Sequence, residues 1–115
     1  MGFLIYGGTQ EYEFDDRTLA HLKVVLTMKL RLQESFLVSW INPAERGGGR
    51  FSIWLSPSIP LAFRFVGGRA PELNRDWIEA LTETSNGSRG LVVLSESEAQ
   101  QYLSTRRGSV GQHVG

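Results

Sequence analysis

At 115 residues, 41% apolar and 21% charged, the chain has the size and composition of one globular domain, which excludes wholesale disorder. It has no cysteine, so disulfides, thiolate metal sites and cysteine nucleophiles are removed together, and no run approaches the roughly 18 apolar residues of a membrane span. The formal charge of +0 argues against a general polyanion binder, and residues 1–6 lack the basic start of a secretory leader, so the expected compartment is the cytoplasm.

Residues 3–6 and 10–14 flank Gly7-Gly8, a pair that tolerates the positive φ of a tight hairpin turn. Asp15 or Asp16 then offers a carboxylate to cap a helix. The segment 19–33 fits two patterns: Leu19, Leu22, Val25, Leu26 and Leu30 form a helical stripe, while Val24, Leu26, Met28, Leu30 and Leu32 alternate as a strand would. The aspartate and the length favour helix. Such a helix is apolar over more than half its circumference, which predicts a sheet on one side and partial cover on another.

Three alternating strands follow between Phe36 and Val66, separated by Ala44 to Arg50 around Gly47-Gly48-Gly49 and by Ser56-Pro57-Ser58-Ile59-Pro60. Asn74 can cap a second helix carrying Trp77, Ile78 and Leu81 on one stripe, with Asn86-Gly87 as a left-handed stop. Asn86-Gly87-Ser88 also spells a glycosylation acceptor, but in a cytoplasmic chain the asparagine is a turn residue. Leu91-Val92-Val93-Leu94 reads as a buried strand, and Ser95 with Glu98 as a capping box that opens a short helix through Leu103. The polar, glycine-rich end from Thr105 to Gly115 reads as a frayed tail. The expected fold is α+β: a largely antiparallel sheet in the order β-β-α-β-β-β-α-β against two helices, with a globular part at 1–95 and a short helix or tail at 96–115.

In the three central strands, Phe36, Val38 and Trp40, then Phe51, Ile53 and Leu55, then Leu61, Phe63 and Phe65 can line one apolar surface. The opposite face then carries Leu37, Ile41, Trp54, Ala62, Arg64 and Val66, which is too apolar for an ordinary wet sheet. Trp54 sits there because Ile53 and Leu55 claim the inner face, and Arg64 alongside it could stack on its ring. Trp40 and Trp77 read as core.

No catalytic or cofactor constellation emerges. Gly47-Gly48-Gly49 is followed by Arg50-Phe51 and opens a strand, without the Lys-Ser/Thr of a phosphate loop. His21 has no recognisable nucleophile partner and reads as a half-buried structural residue. His113 lies in the tail, and Glu11, Glu13, Asp15 and Asp16 lack the ordered glycine loop of a calcium site, so no metal is expected. Glu11 and Glu13 alternate onto one solvated edge.

Arginine outnumbers lysine ten to two, and Arg46, Arg50, Arg64, Arg69 and Arg75 fall in one stretch beside Glu45 and Glu72. Surface salt bridges are the plainer use of these side chains; with Trp54 as a stacking platform they also make a possible single-strand track.

Three stretches resemble a known family. They are Leu4-Ile5-Tyr6-Gly7-Gly8 with Phe14-Asp15-Asp16-Arg17-Thr18-Leu19-Ala20-His21-Leu22, then Glu34-Ser35-Phe36 with Ser39-Trp40, and Ile53-Trp54-Leu55-Ser56-Pro57-Ser58-Ile59-Pro60-Leu61 with Asn74-Arg75-Asp76-Trp77-Ile78-Glu79-Ala80-Leu81. Over about residues 2 to 94 the chain is similar to short uncharacterised actinobacterial proteins often labelled ATP-dependent DNA ligase. The resemblance implies a place in that family and somewhat favours work near DNA. The label implies a lysine nucleophile in Lys-x-Asp-Gly, whereas Lys23 precedes Val24-Val25-Leu26 and Lys29 precedes Leu30-Arg31-Leu32. The expectation is a non-enzymatic module without a cofactor that self-associates through the outer sheet face, with DNA binding as the alternative.

Overall fold

The computed structural model describes residues 1–114, with side chains through Arg106. Strands β1 (Gly2–Tyr6) and β2 (Gln10–Phe14) form the expected hairpin, with Gly7 and Gly8 at φ 66° and 85° in its turn. Helix α1 (Asp16–Arg31) follows, then β3 (Phe36–Ile41), a 3-10 turn (Ala44–Arg46), β4 (Arg50–Leu55), β5 (Leu61–Phe65), α2 (Arg75–Thr84), β6 (Leu91–Val92) and α3 (Glu96–Val114). The α+β class and the element order are those read from the sequence.

The single sheet is replaced by two. One has the order β2-β1-β5 and the other β4-β3-β6. β4 pairs antiparallel with β3, from Phe36 opposite Leu55 to Ile41 opposite Arg50. The proline-bearing link 56–60 then carries the chain away, and β5 pairs antiparallel with β1, from Gly2 opposite Phe65 to Tyr6 opposite Leu61. Pro57 and Pro60 have no amide to donate to a ladder, so β4 cannot fold straight back on itself. The Gly7 amide donates to the Pro60 carbonyl at 2.9 Å and fixes the new alignment.

The nine inward residues therefore belong to two facing surfaces rather than one. Trp40 stacks on Phe51 within its own sheet at 5.5 Å between centroids and meets Tyr12 and Phe14 of the other sheet at 5.2 and 5.1 Å. Edge and tilted ring contacts of this kind add to the burial itself. The Tyr6 hydroxyl donates to the Trp54 carbonyl at 2.7 Å, a second link between the sheets. Helix α1 packs on β1, β5 and α2, while α2 packs on α3 and β6. Leu4, Leu19, Leu22, Leu26, Leu55, Leu81 and Leu91 are fully buried among them.

The helix ends refine the reading. Asp15 is the N-cap residue of α1 but its carboxylate makes no cap bond; it pairs instead with Arg46 at 2.7 Å. Asn74 caps α2 as expected, its side-chain oxygen accepting from the Asp76 and Trp77 amides at 3.0 and 3.4 Å. Ser95 and Glu98 form the reciprocal box: the Ser95 amide donates to the Glu98 carboxylate and the Glu98 amide to the Ser95 hydroxyl, at 2.7 and 3.2 Å.

From that start α3 runs through Val114, past the point where a tail was expected, because each added turn needs only propagation and Arg106 bridges to Glu79 and Glu83 of α2. Gly115 and the His113 side chain lie outside the described residues.

The left-handed glycine after α2 is Gly90 (φ 73°), not Gly87. A Cβ on Gly90 would lie 2.4 Å from the Leu37 carbonyl oxygen, so this glycine lets the chain turn tightly into β6. β6 itself is shorter than the four-residue strand expected and pairs parallel to β3.

Two substitutions test this core by chemical denaturation. Trp77→Ala, at a side chain only 3% exposed, should cost roughly 3–5 kcal/mol. Gly90→Ala should cost at least the 1–3 kcal/mol or so of a forced left-handed residue, with the backbone clash added.

Candidate interaction surface

The split of the sheets divides the outer residues into two groups. Leu37, Ile41 and Trp54 lie on the β4-β3-β6 sheet together with Ser39, Ser52 and Arg50. Leu37 is opposite Trp54, Ser39 opposite Ser52 with their hydroxyls 2.8 Å apart, and Ile41 opposite Arg50. Trp54 is 53% exposed and Ile41 74%. β4 is the edge of this sheet.

Ala62 and Arg64 lie on the outer face of the other sheet, opposite Ile5 and Phe3 of β1, with Val66 exposed just beyond the end of β5. Arg64 does not stack on Trp54. Its guanidinium sits 4.6 Å from the Phe3 ring centroid and bonds the Glu11 carboxylate at 3.1 Å, because β5 neighbours β1 and not β4. Glu11 and Glu13 do share one face, through which Glu11 reaches Arg64.

The five arginines come from different elements of the chain. Arg46 reaches over to Asp15 and Arg64 to Glu11, so both are engaged by carboxylates. Arg50 stands on the outer face with Trp54, Arg69 in the loop after β5, and Arg75 at the start of α2, all three exposed.

His21 is fully buried rather than half-buried. Its Nδ1 lies 2.7 Å from the Arg17 carbonyl and its Nε2 accepts from the Asn74 amide at 2.8 Å, so the neutral Nδ1–H tautomer satisfies both bonds. The ring stacks on Trp77 at 4.2 Å. Neither nitrogen is left for proton transfer. Lys29 is also buried, its ammonium held by Glu34 at 2.8 Å and Ser85 at 3.1 Å over the Phe36 ring. Lys23 alone among these nitrogens is exposed, 5.8 Å from the Phe65 ring centroid. Among the described residues no three His, Asp or Glu side chains converge as a metal site, and no helix is long and apolar enough to cross a membrane.

Beside His21, Arg17 grips Glu96 with two bonds of 2.9 and 2.7 Å, and the Asn74 amide group donates to the same carboxylate at 2.8 Å. Sequence spacing carried no signal of this cluster, because its members come from α1, the α2 cap and the first residue of α3. Chiefly through the Arg17 bond, and then the Asn74 bond, the Glu96 carboxyl is pulled down to about 2 from an ordinary 4.5.

With this geometry in hand, comparison with known domains places the chain. A profile described as a domain of unknown function, DUF7882, matches residues 1–96. The chain belongs to the DUF7882 family. No curated protein and no solved structure matches it significantly. The matched part of this DUF7882 domain ends at Glu96, yet Ala99 and Leu103 of α3 are buried in the same core.

The Glu96 contacts predict an acid-sensitive fold. A carboxyl whose folded value lies below its unfolded one stabilises fully above the unfolded value, and that contribution fades as pH falls from about 4.5 toward about 2. Urea midpoints measured across that window should therefore fall with pH. Glu96→Gln should lower the midpoint at neutral pH and flatten the decline.

Proposed function

We propose that this DUF7882 domain is a non-enzymatic, cytoplasmic interaction module that self-associates through the outer face of its β4-β3-β6 sheet. The observation that carries the reading is the half-exposed Trp54, set against Leu37 on a face whose far end is the exposed Ile41. Exposed apolar patches on water-soluble domains mark contacts, and tryptophan is enriched among interface hot spots. A second copy suits this face because Arg50 and Trp54 stand at opposite ends of one strand. A two-fold axis through the middle of β4 brings each Trp54 ring to the Arg50 of the other copy. Ser39 and Ser52, already bonded to each other, lie between and need no further partner.

The test is light scattering or sedimentation over a concentration series. The expected result is a concentration-dependent dimer whose dissociation constant rises roughly thirtyfold in Trp54→Ala, the size of a hot-spot loss of about 2 kcal/mol. A monomer at every concentration, or a dimer indifferent to Trp54→Ala, overturns the reading.

Nucleic acid is the second reading, supported by Arg50 and Trp54 sharing an exposed face. Arg46 and Arg64, engaged by carboxylates, contribute less to it than Arg50, Arg69 and Arg75. Binding of short single strands should then weaken with salt at a log–log slope of about −0.7 per phosphate contacted, and fall in Trp54→Ala. Fluorescence titration at low and moderate salt checks both. Ligase chemistry is not part of the proposal, since neither lysine sits in Lys-x-Asp-Gly and Lys29 is buried against Glu34. Incubation with labelled ATP should leave no covalent adenylate on the chain.

A further inference from the structure

Away from both outer faces, a groove of about 400 Å³ opens between α1 and the loop that follows β5. Its volume falls within the roughly 300–1,000 Å³ of small-molecule sites. Ala20 and Val24 of α1 form one wall, and Phe65 at the end of β5 with Leu73 of the loop form the other. Leu73 is 51% exposed, so one wall is an apolar side chain left open to water.

The charged residues lining the groove are Lys23 and Arg69, both cations and both exposed, and no carboxylate lines it. Among the described residues neither cation forms an ion pair; the Lys23 ammonium lies instead 5.8 Å from the centroid of the Phe65 ring. Asp16, whose carboxylate meets the loop's start, is already turned to the Gly67 and Val66 amides at 2.8 and 3.4 Å. Glu72, the acid within the loop, is outside the groove lining and close enough to Arg17 to add to the Glu96 contacts that raise its pKa.

We propose that the groove binds a small amphiphilic anion, a medium-chain carboxylate being the simplest, with its chain between α1 and the loop and its headgroup at Lys23 and Arg69. The charge pattern selects this class. An uncharged apolar ligand would leave two unpaired cations beside its bound chain, and a small anion without a chain would leave the apolar walls wet. A carboxylate with an alkyl chain satisfies both, and its headgroup can take charge-assisted bonds from the two side chains. The site is separate from the sheet face proposed for self-association and does not depend on it.

Calorimetric titration with decanoate below its micelle concentration, at low ionic strength, tests the proposal, with decanol and acetate as comparison ligands. Decanoate should bind at one site per chain and shift the backbone resonances of Val24, Phe65 and Leu73. Decanol and acetate should each bind at least about tenfold more weakly, the scale of one charge-assisted bond. Lys23→Ala with Arg69→Ala should weaken decanoate by at least about the same factor, and both sites are exposed, so the fold is kept. Val24→Trp should block the groove while leaving both cations in place. Absence of decanoate binding, equal binding of decanol, or full binding by the double variant would each overturn the assignment.

Discussion

Pairing of β5 with β1 fixes more of this molecule than any other single contact. Had β5 lain beside β4, its inward residues would have extended one flat sheet. Instead Phe63 and Phe65 join Leu4 in the β2-β1-β5 sheet, and the loop after β5 is delivered across α1. Asp16 holds that delivery point: its carboxylate accepts from the Gly67 and Val66 amides, and a Cβ on Gly67 would come within 2.9 Å of it. The Gly67 bond, ahead of the opposing effect of burial, keeps the Asp16 carboxyl below the usual carboxylate range. The wall of the groove and the separation of the two outer faces both follow from where this one strand pairs.

A partly exposed polar cluster built around the buried His21 then fixes the helices to one another. His21 on α1 accepts the Asn74 amide that precedes α2, while the Asn74 side chain both caps α2 and donates to Glu96 at the start of α3. Arg17 completes the circuit to Glu96 and to the Glu72 carbonyl at 2.8 Å, with its guanidinium 5.8 Å from the Trp77 ring centroid. Every bond in the set has a definite direction, which apolar packing lacks. The His21 bond is the one that specifies the arrangement most strongly, because a slip there leaves a buried imidazole nitrogen unpaired. His21 is therefore a positioning group of the fold, buried against Trp77 with both ring nitrogens engaged.

What the sequence made legible was local. The Asn74 cap, the Ser95–Glu98 box, the Gly7-Gly8 turn and the inward Trp40 and Trp77 each depend on a few neighbouring residues, and each stands where local pattern put it. The helical character of α1 was recoverable for the same reason, even against a competing alternation. Strand partners are different, because alternation tells which residues share a side of a strand and nothing about which strand lies next to it. Leu37 with Trp54 could be matched from neighbouring strands; Arg64 with Phe3 could not, since 61 positions separate them. Gly90 was missed because its constraint is the Leu37 carbonyl of a distant strand, and Asp15 misread because Arg46 competes for its carboxylate.

The arginine excess has a similar explanation in three dimensions. Arg17, Arg46, Arg64 and Arg106 each pair with a carboxylate from a different element of the chain. Exposed pairs contribute little apiece to stability, on the order of 0–1 kcal/mol, so their effect is geometric: a planar, forked cation holds two elements in one relative position. Those pairs remove charges of both signs, so the zero net charge of the chain does not tell where the unpaired ones lie. Cations such as Lys23, Arg50 and Arg69 remain where no carboxylate answers them among the described residues. Two of those unanswered cations share a place with an open apolar side chain, Arg50 with Trp54 on one sheet face and Arg69 with Leu73 in the groove. At each of these two points an unpaired cation and an open apolar side chain offer a ligand or partner a charge-assisted bond and an apolar contact together, which is the physical ground for reading them as binding positions.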